Sequence, residues 1–225
     1  VQRENVHQLV IGDRYFEPIT TSRRNWSGIA IHGSALYVAV KHGDIYRKLN
    51  KHSKFQAMKG KFRPWTCLTA VGYEMFAGVE EGPIYKYDRN DDTFKPMKVA
   101  RQDWQSLAIC RETLYGLTAT GQLYEVCKAA WFPTTGCHIK LINTSYVTLN
   151  TITAITSDGY RLYLVDNQGV VYCWPSPENK IVKIAELSCE SRTIAFLNNN
   201  LYLGGFPGDV YKIEVSDITY NHVQL

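Results

Sequence analysis

Residues 35–48 read ALYVAVKHGDIYRK, and the same frame returns four times along the chain: EMFAGVEEGPIYKY from Glu74, TLYGLTATGQLYEV from Thr113, RLYLVDNQGVVYCW from Arg161 and NLYLGGFPGDVYKI from Asn200. The common pattern is L/M, then Y/F, five variable residues, glycine, one variable residue, I/L/V and tyrosine. Its glycines, Gly43, Gly82, Gly121, Gly169 and Gly208, recur at intervals of 39, 39, 48 and 39 residues. A fixed period of this size marks a chain built from stacked copies of one supersecondary unit. Each copy reads as two strands joined by a tight turn, with the glycine expected to supply the positive φ of a hairpin. Apolar neighbours such as Ile45-Tyr46 and Ile84-Tyr85 place apolar groups on both faces of a strand. Sheets sandwiched between other sheets need that property.

Two further strands flank each copy. Upstream lie Ile29-Ala30-Ile31, Leu68-Thr69-Ala70, Leu107-Ala108-Ile109, Ile152-Thr153-Ala154 and Ile194-Ala195-Phe196, with a small residue at every centre. Small residues in one register fit an innermost strand, where backbones crowd around an axis. Trp26, Trp65 and Trp104 stand three residues before the aliphatic, and the fourth and fifth copies put Leu149 and Ser191 there. An outer strand is marked by Phe55 and Phe94, ten residues before the next tryptophan, and by Ile139 and Ile181 in later copies. The same offset from Trp26 gives Phe16, in Phe16-Glu17-Pro18, which parallels Phe94-Lys95-Pro96. The N-terminus therefore carries an outer strand, around residues 14–20, with no blade of its own, while the fifth copy lacks one. Pairing the two would close a ring and remove its exposed edges. The expected fold is all-β: one domain over residues 1–225, a five-bladed propeller of four-stranded blades. Inner strands are expected to start near 26, 65, 104, 149 and 191, with the ring closed by the N-terminal strand.

The 48-residue interval is assigned to two insertions. One lies in the first hairpin of the fourth unit around Ser157-Asp158-Gly159; the other is the loop CKAAWFPTTGCH from Cys127. Cys127 and Cys137 flank that loop at a separation suited to a cross-hairpin disulfide, and Cys173 with Cys189 is a weaker second pairing. Cys67 and Cys110 are expected to be buried thiols. Trp131 and Phe132 in the loop allow two readings: an exposed aromatic platform for a sugar or a partner, or packing against the outer edge of the third blade.

Composition limits the function. The 225 residues are 45% hydrophobic and 20% charged, with 15 tyrosines, an ordinary globular balance rich in strand formers. The net charge of +4 is spread without runs of Lys/Arg, so neither nucleic acid nor membrane insertion is expected. The chain opens at Val1 rather than methionine, so either a processed form or an excised piece of a longer chain is expected. The six histidines and the absence of C-x-x-C give no metal-ligand spacing, and no cofactor motif occurs. Asp103 and Glu190 lie near inner-strand starts without a third acid, and Asp91-Asp92 reads as a solvated turn. No catalytic residue is assigned, and a propeller hydrolase is the least favoured reading.

The segments from Trp26 to Arg47 and from Trp65 to Lys86 join a tryptophan, an inner strand, an L/M-Y/F pair and a G-x-I-Y motif. In this the chain resembles lectin propellers of the tachylectin and tectonin type. The resemblance implies carbohydrate or glycoprotein recognition between neighbouring blades near Trp26, Trp65 and Trp104. The paired glycines that precede the tryptophan in tachylectin repeats are absent. For the same tryptophans the residues alone leave inter-blade core as the other reading. A protein-interaction propeller of a secreted or surface assembly is the alternative function. Extracellular placement rests on the even cysteine count, two N-glycosylation acceptors at Asn25 and Asn143, and the lectin-like architecture.

Overall fold

The computed structural model of the chain describes residues 7–10, 15–18, 24–128, 137, 139–142, 151–175, 180–206 and 208–215. The architecture is all-β, a five-bladed propeller. The N-terminal strands β1 (His7–Val10) and β2 (Tyr15–Pro18) pair as a hairpin. The first blade comprises β3 (Trp26–His32), β4 (Ala35–Val40), β5 (Ile45–Lys48) and β6 (Gln56–Ala57). The second follows with β7 (Trp65–Val71), β8 (Glu74–Val79), β9 (Tyr85–Asp88) and β10 (Thr93–Pro96). The third holds β11 (Trp104–Cys110), β12 (Thr113–Thr118), β13 (Leu123–Lys128) and β14 (Lys140–Leu141). In the fourth are β15 (Ile152–Ser157), β16 (Leu162–Asp166), β17 (Val170–Trp174) and β18 (Val182–Glu186). The fifth contains β19 (Glu190–Leu197), β20 (Asn200–Phe206) and β21 (Val210–Glu214).

Every blade is an antiparallel meander, so strand order in space follows strand order in sequence. Four sheets have four strands, and the fifth has three among the described residues. The described partner of Tyr15–Pro18 is β1, and closure of the fifth sheet by this segment is a proposal. Four hydrophobic clusters fill the successive interfaces from the first blade to the fifth. Each draws on two neighbouring sheets, as two-faced apolar strands require. Met75 and Phe76 show the consequence: adjacent in sequence, they are fully buried in the clusters on opposite sides of the second blade.

One irregularity recurs in all five blades. The inner strand shifts register against its neighbour between Trp26 and Gly28, Trp65 and Cys67, Trp104 and Ser106, Ile152 and Ala154, and Ser191 and Thr193. The bulge fixes which residues are equivalent, and it corrects the sequence reading of the fourth blade. Ile152 stands where the tryptophans stand, and Ile155 matches Ile29; the described inner strand begins at Ile152, and Leu149 lies outside the described residues. With that shift the first hairpin is no longer than the others: Ile29 pairs with Val38 and Ile155 with Leu164, nine residues apart in both. The extra residues lie wholly between the third strand of the third blade and Ile152. Ile152 misled because its β-branched side chain mimics the aliphatic expected three residues later.

The turn glycines also divide into two kinds. Gly121 and Gly169 hold positive φ, of +81° and +86°. In the first two blades His42 and Glu81 carry the positive φ instead, so there the sequence expectation is off by one residue. Gly43 and Gly82 serve close approach: a Cβ at Gly82 would lie 2.3 Å from Val79 Cγ2. Both exchange paired backbone hydrogen bonds with the link to the next blade, Gly43 with Arg63 and Gly82 with Gln102.

Candidate functional site

The inner strands β3, β7, β11, β15 and β19 surround a central channel of about 830 Å3. Its wall is mostly apolar and hydroxylic, with Gln105, Asp158 and Arg192 among the lining residues. Blades are tied there by side chains bonding to the next inner strand. The Ser106 hydroxyl lies 3.3 Å from Ile155 O, where it donates, and accepts from Ile155 N at 3.2 Å. Gln105 Nε2 donates to Thr153 O at 2.7 Å, and Thr153 Oγ1 lies 2.9 Å from Ser191 O, which it can reach as donor. Backbones also crowd, since a Cβ on Gly28 would sit 2.7 Å from Leu68 N.

The tryptophans do not form three equivalent platforms. Trp104 is fully buried, its ring edge over Gly116 and its Nε1 donating to Gly82 O at 3.1 Å, which locks it between the second and third blades. Trp65 is buried between the first and second blades, packed by Tyr85 at 5.2 Å and Phe94 at 5.7 Å. As ligand platforms these two are corrected to inter-blade core, because neither offers a ring face to solvent. Trp26 differs: half-buried against Tyr46 and Phe55, it also lines the channel. Trp131 and Phe132 lie outside the described residues.

Exposed apolar groups gather elsewhere. In an up-and-down blade the first-to-second turns and third-to-fourth loops share one face, here termed the upper face. Ile31, Leu49, Val71, Tyr73, Tyr160 and Leu197 all stand there, six of the eleven large apolar side chains exposed among the described residues. Tyr73 and Tyr160, the most prominent at 78% and 74% exposure, occupy the same position of the two-residue turns in the second and fourth blades. The sequence held a signal for them that the repeat reading passed over: a large aromatic residue inside a tight turn gains nothing from burial there.

Charged groups on this face are ordered. Arg47 forms a bidentate pair with Asp92 at 2.7 and 3.1 Å, and Tyr87 OH donates to the same carboxylate at 2.7 Å. Burial alone would raise the Asp92 pKa; the bonds from Tyr87 and Arg47 outweigh it and hold the carboxyl below its ordinary range. Asp158, at the turn of the fourth blade, behaves likewise. Its burial is more than offset by the backbone N–H groups of Arg161 and Tyr160, the Arg161 guanidinium and Tyr163 OH. Asp91-Asp92, read as a solvated turn, is thus half structural: Asp92 is an inter-blade tie, while Asp91 pairs with Lys95.

Cys127 and Cys137 form a disulfide, with Cα atoms 5.1 Å apart, at the base of the long upper-face loop of the third blade. Cys67, Cys110, Cys173 and Cys189 are not joined to one another, so the second pairing does not form. Burial pushes the Cys67 thiol up to about 12. Among the described residues no cluster of His, Cys, Asp and Glu could hold a metal ion. No described helix is long and apolar enough to cross a membrane.

The class defined by these features is a five-bladed propeller with an axial channel and one face that carries exposed apolar side chains and ordered charged groups. Solved structures agree on the fold. The chain is similar to a propeller in a nidogen/laminin complex, with a TM-score of 0.72 at 12% identity, over 97% of this chain and 89% of that one. It is also similar to YCF48 bound to D1 peptide, with a TM-score of 0.58 at 14% identity, over 90% and 69% of the two chains. A third likeness is the extracellular domain of the one-component system BT4673 from B. thetaiotaomicron, with a TM-score of 0.61 at 17% identity, over 88% of this chain and 28% of that one. At such identities the likeness establishes the fold alone. No family model matches the chain, and no curated protein matches it.

Proposed function

We propose that this chain is a non-enzymatic binding module whose upper face receives a protein partner. The observation that carries the reading is the gathering of Ile31, Leu49, Val71, Tyr73, Tyr160 and Leu197 on one face among ordered charged groups, since exposed apolar side chains collected on one face mark interaction sites. Similar chains in a nidogen/laminin complex and in YCF48 bound to D1 peptide add support from fold. The channel offers little for hydrolysis: Asp158 lines it, but its oxygens already accept four hydrogen bonds. The Cys127–Cys137 disulfide supports an extracellular location, because such bonds persist in oxidising compartments.

Carbohydrate recognition, implied by the lectin-like repeat, is the second reading, and the incompletely buried Trp26 at the channel favours it. A paired experiment separates the two. The purified chain is screened on a glycan array and, in parallel, used for cross-linked affinity capture from extracellular fluid. A variant with Ile31, Val71 and Leu197 each changed to serine accompanies it. Protein capture lost in the triple variant, with a blank array, is expected. Selective glycan binding abolished by Trp26→Ala, with no protein captured, would overturn the protein reading.

A further inference from the structure

One arrangement occurs twice on the upper face, two interfaces apart. Between the first and second blades, Tyr37 and Tyr87 meet with ring centroids 6.0 Å apart, and His32 lies 5.7 Å from Tyr87. Arg89 rests 4.7 Å over the exposed ring of Tyr73, its Nη2 3.1 Å from His32 Nε2. Between the third and fourth blades the equivalent register positions hold Tyr115, Trp174, Cys110 and Tyr160. Tyr115 and Trp174 meet edge to face at 5.7 Å. The cation here is Arg111, on the turn itself, donating from Nε to Tyr160 O at 2.8 Å and from Nη2 to Pro175 O at 2.9 Å.

The two niches differ in what fills them. Where the first is occupied by the His32 imidazole, the second has only the Cys110 thiol, and a cavity of about 290 Å3 stands there. Tyr115, Leu162 and Trp174 wall it, while Arg111, Lys128 and Tyr160 stand around it. The Arg111 guanidinium bonds only to neutral carbonyls, and among the described residues no carboxylate lies within ion-pair distance of it. Lys128 is 78% exposed and reaches Glu125 only at 3.8 Å. An apolar slot with an unneutralised guanidinium beside it matches an apolar group joined to a carboxylate, which arginine binds with directional, charge-assisted hydrogen bonds.

We infer that the slot between the third and fourth blades is an anchor for a partner polypeptide, taking an apolar side chain against Tyr115, Leu162 and Trp174 and pairing an adjacent acidic residue with Arg111. The inference rests on the protein-binding reading and specifies its chemistry. Panning a phage library of random twelve-residue peptides on the immobilised chain tests it, followed by calorimetric titration of the enriched peptide and its Glu→Gln or Asp→Asn counterpart. Enrichment of an apolar residue beside an acidic one is expected. Binding should weaken about ten-fold or more for the amide peptide and for Arg111→Gln, and less for Arg111→Lys. Tyr160→Ala, an exposed change, is the second probe should Arg111→Gln lower the melting temperature. Peptides that enrich but tolerate both variants, or bind equally as acid and amide, would overturn the anchor and leave the protein-binding reading standing. Failure of any peptide to enrich would remove both.

Discussion

Gly72 and Gly169 both hold a left-handed backbone, at φ of +54° and +86°, yet only one of them has close neighbours. A Cβ at Gly72 meets nothing within 4 Å, whereas one at Gly169 would lie 2.3 Å from Cys189 O and 2.8 Å from Leu187 O. Gly72→Ala should therefore cost only the backbone penalty, about 1 kcal/mol. Gly169→Ala should cost more, roughly 2–4 kcal/mol, because the link into the fifth blade must move as well. Urea melts of the two variants measure the difference, and equal losses would show that the blade link yields freely. Asp158 supports a second prediction, in pH. Its folded pKa is depressed, so the folded chain binds its proton less tightly than the unfolded chain does. The stability it contributes is present above the ordinary carboxylate range and is lost as pH falls through the folded value. Asp158→Asn should thus melt at a lower temperature than wild type at pH 6, and the gap should narrow as the pH falls below about 4. A constant gap down to pH 2.5 would mean the carboxylate charge is immaterial.

At the scale of strands, legibility followed how directly the chain's period constrains each one. The second and third strands of every blade were readable because five fixed positions recur and the residues between them face two cores at once. The inner strand of the fourth blade was misplaced by three residues, since Ile152 satisfies an aliphatic requirement while holding the position of a tryptophan, a fact visible only in its pairing with Asp166. Likewise, spacing puts Trp65 and Trp104 at inner-strand starts but cannot say that each turns into an interface. That depends on Gly116 leaving room for the Trp104 ring. The niche at Arg111 was invisible for a related reason: its walls come from two blades and align only once the bulge register is known. The Cys127–Cys137 bridge was legible, because separation across a hairpin constrains it. Closing a loop of this length stabilises by about 2–3 kcal/mol in chain-entropy terms. Replacing both cysteines with serine should lower the urea midpoint accordingly. Hydrogen exchange should quicken first in Leu123–Lys128, next to the released loop, and an unchanged midpoint would mean the loop is held by other contacts.

For the whole ring, stability is close to a sum over neighbouring interfaces, so the weakest joint governs opening. Four interfaces have continuous apolar clusters, while the fifth and first blades share none among the described residues. Ile29 on the first blade and Val210 on the fifth are correspondingly exposed. We propose that the N-terminal segment around residues 14–20 completes this joint by docking on Val210–Glu214. The repeat supports a specific role for Phe16. Phe55 packs on Trp26 at 6.3 Å and Phe94 on Trp65 at 5.7 Å, each joining the outer strand to the inner strand of its own blade. In the fifth blade the inner position is Ser191, so a phenyl group from the outer strand would supply bulk that the inner strand lacks. Phe16→Asp should then destabilise the chain by roughly 2 kcal/mol or more, as loss of a packed aromatic does. Amides of Val210–Glu214 should exchange faster, while those of Leu114 and Leu123, deep in the third blade, keep their rates relative to global unfolding. Unchanged stability with unchanged exchange at β21 would place the closing contact outside the N-terminal segment.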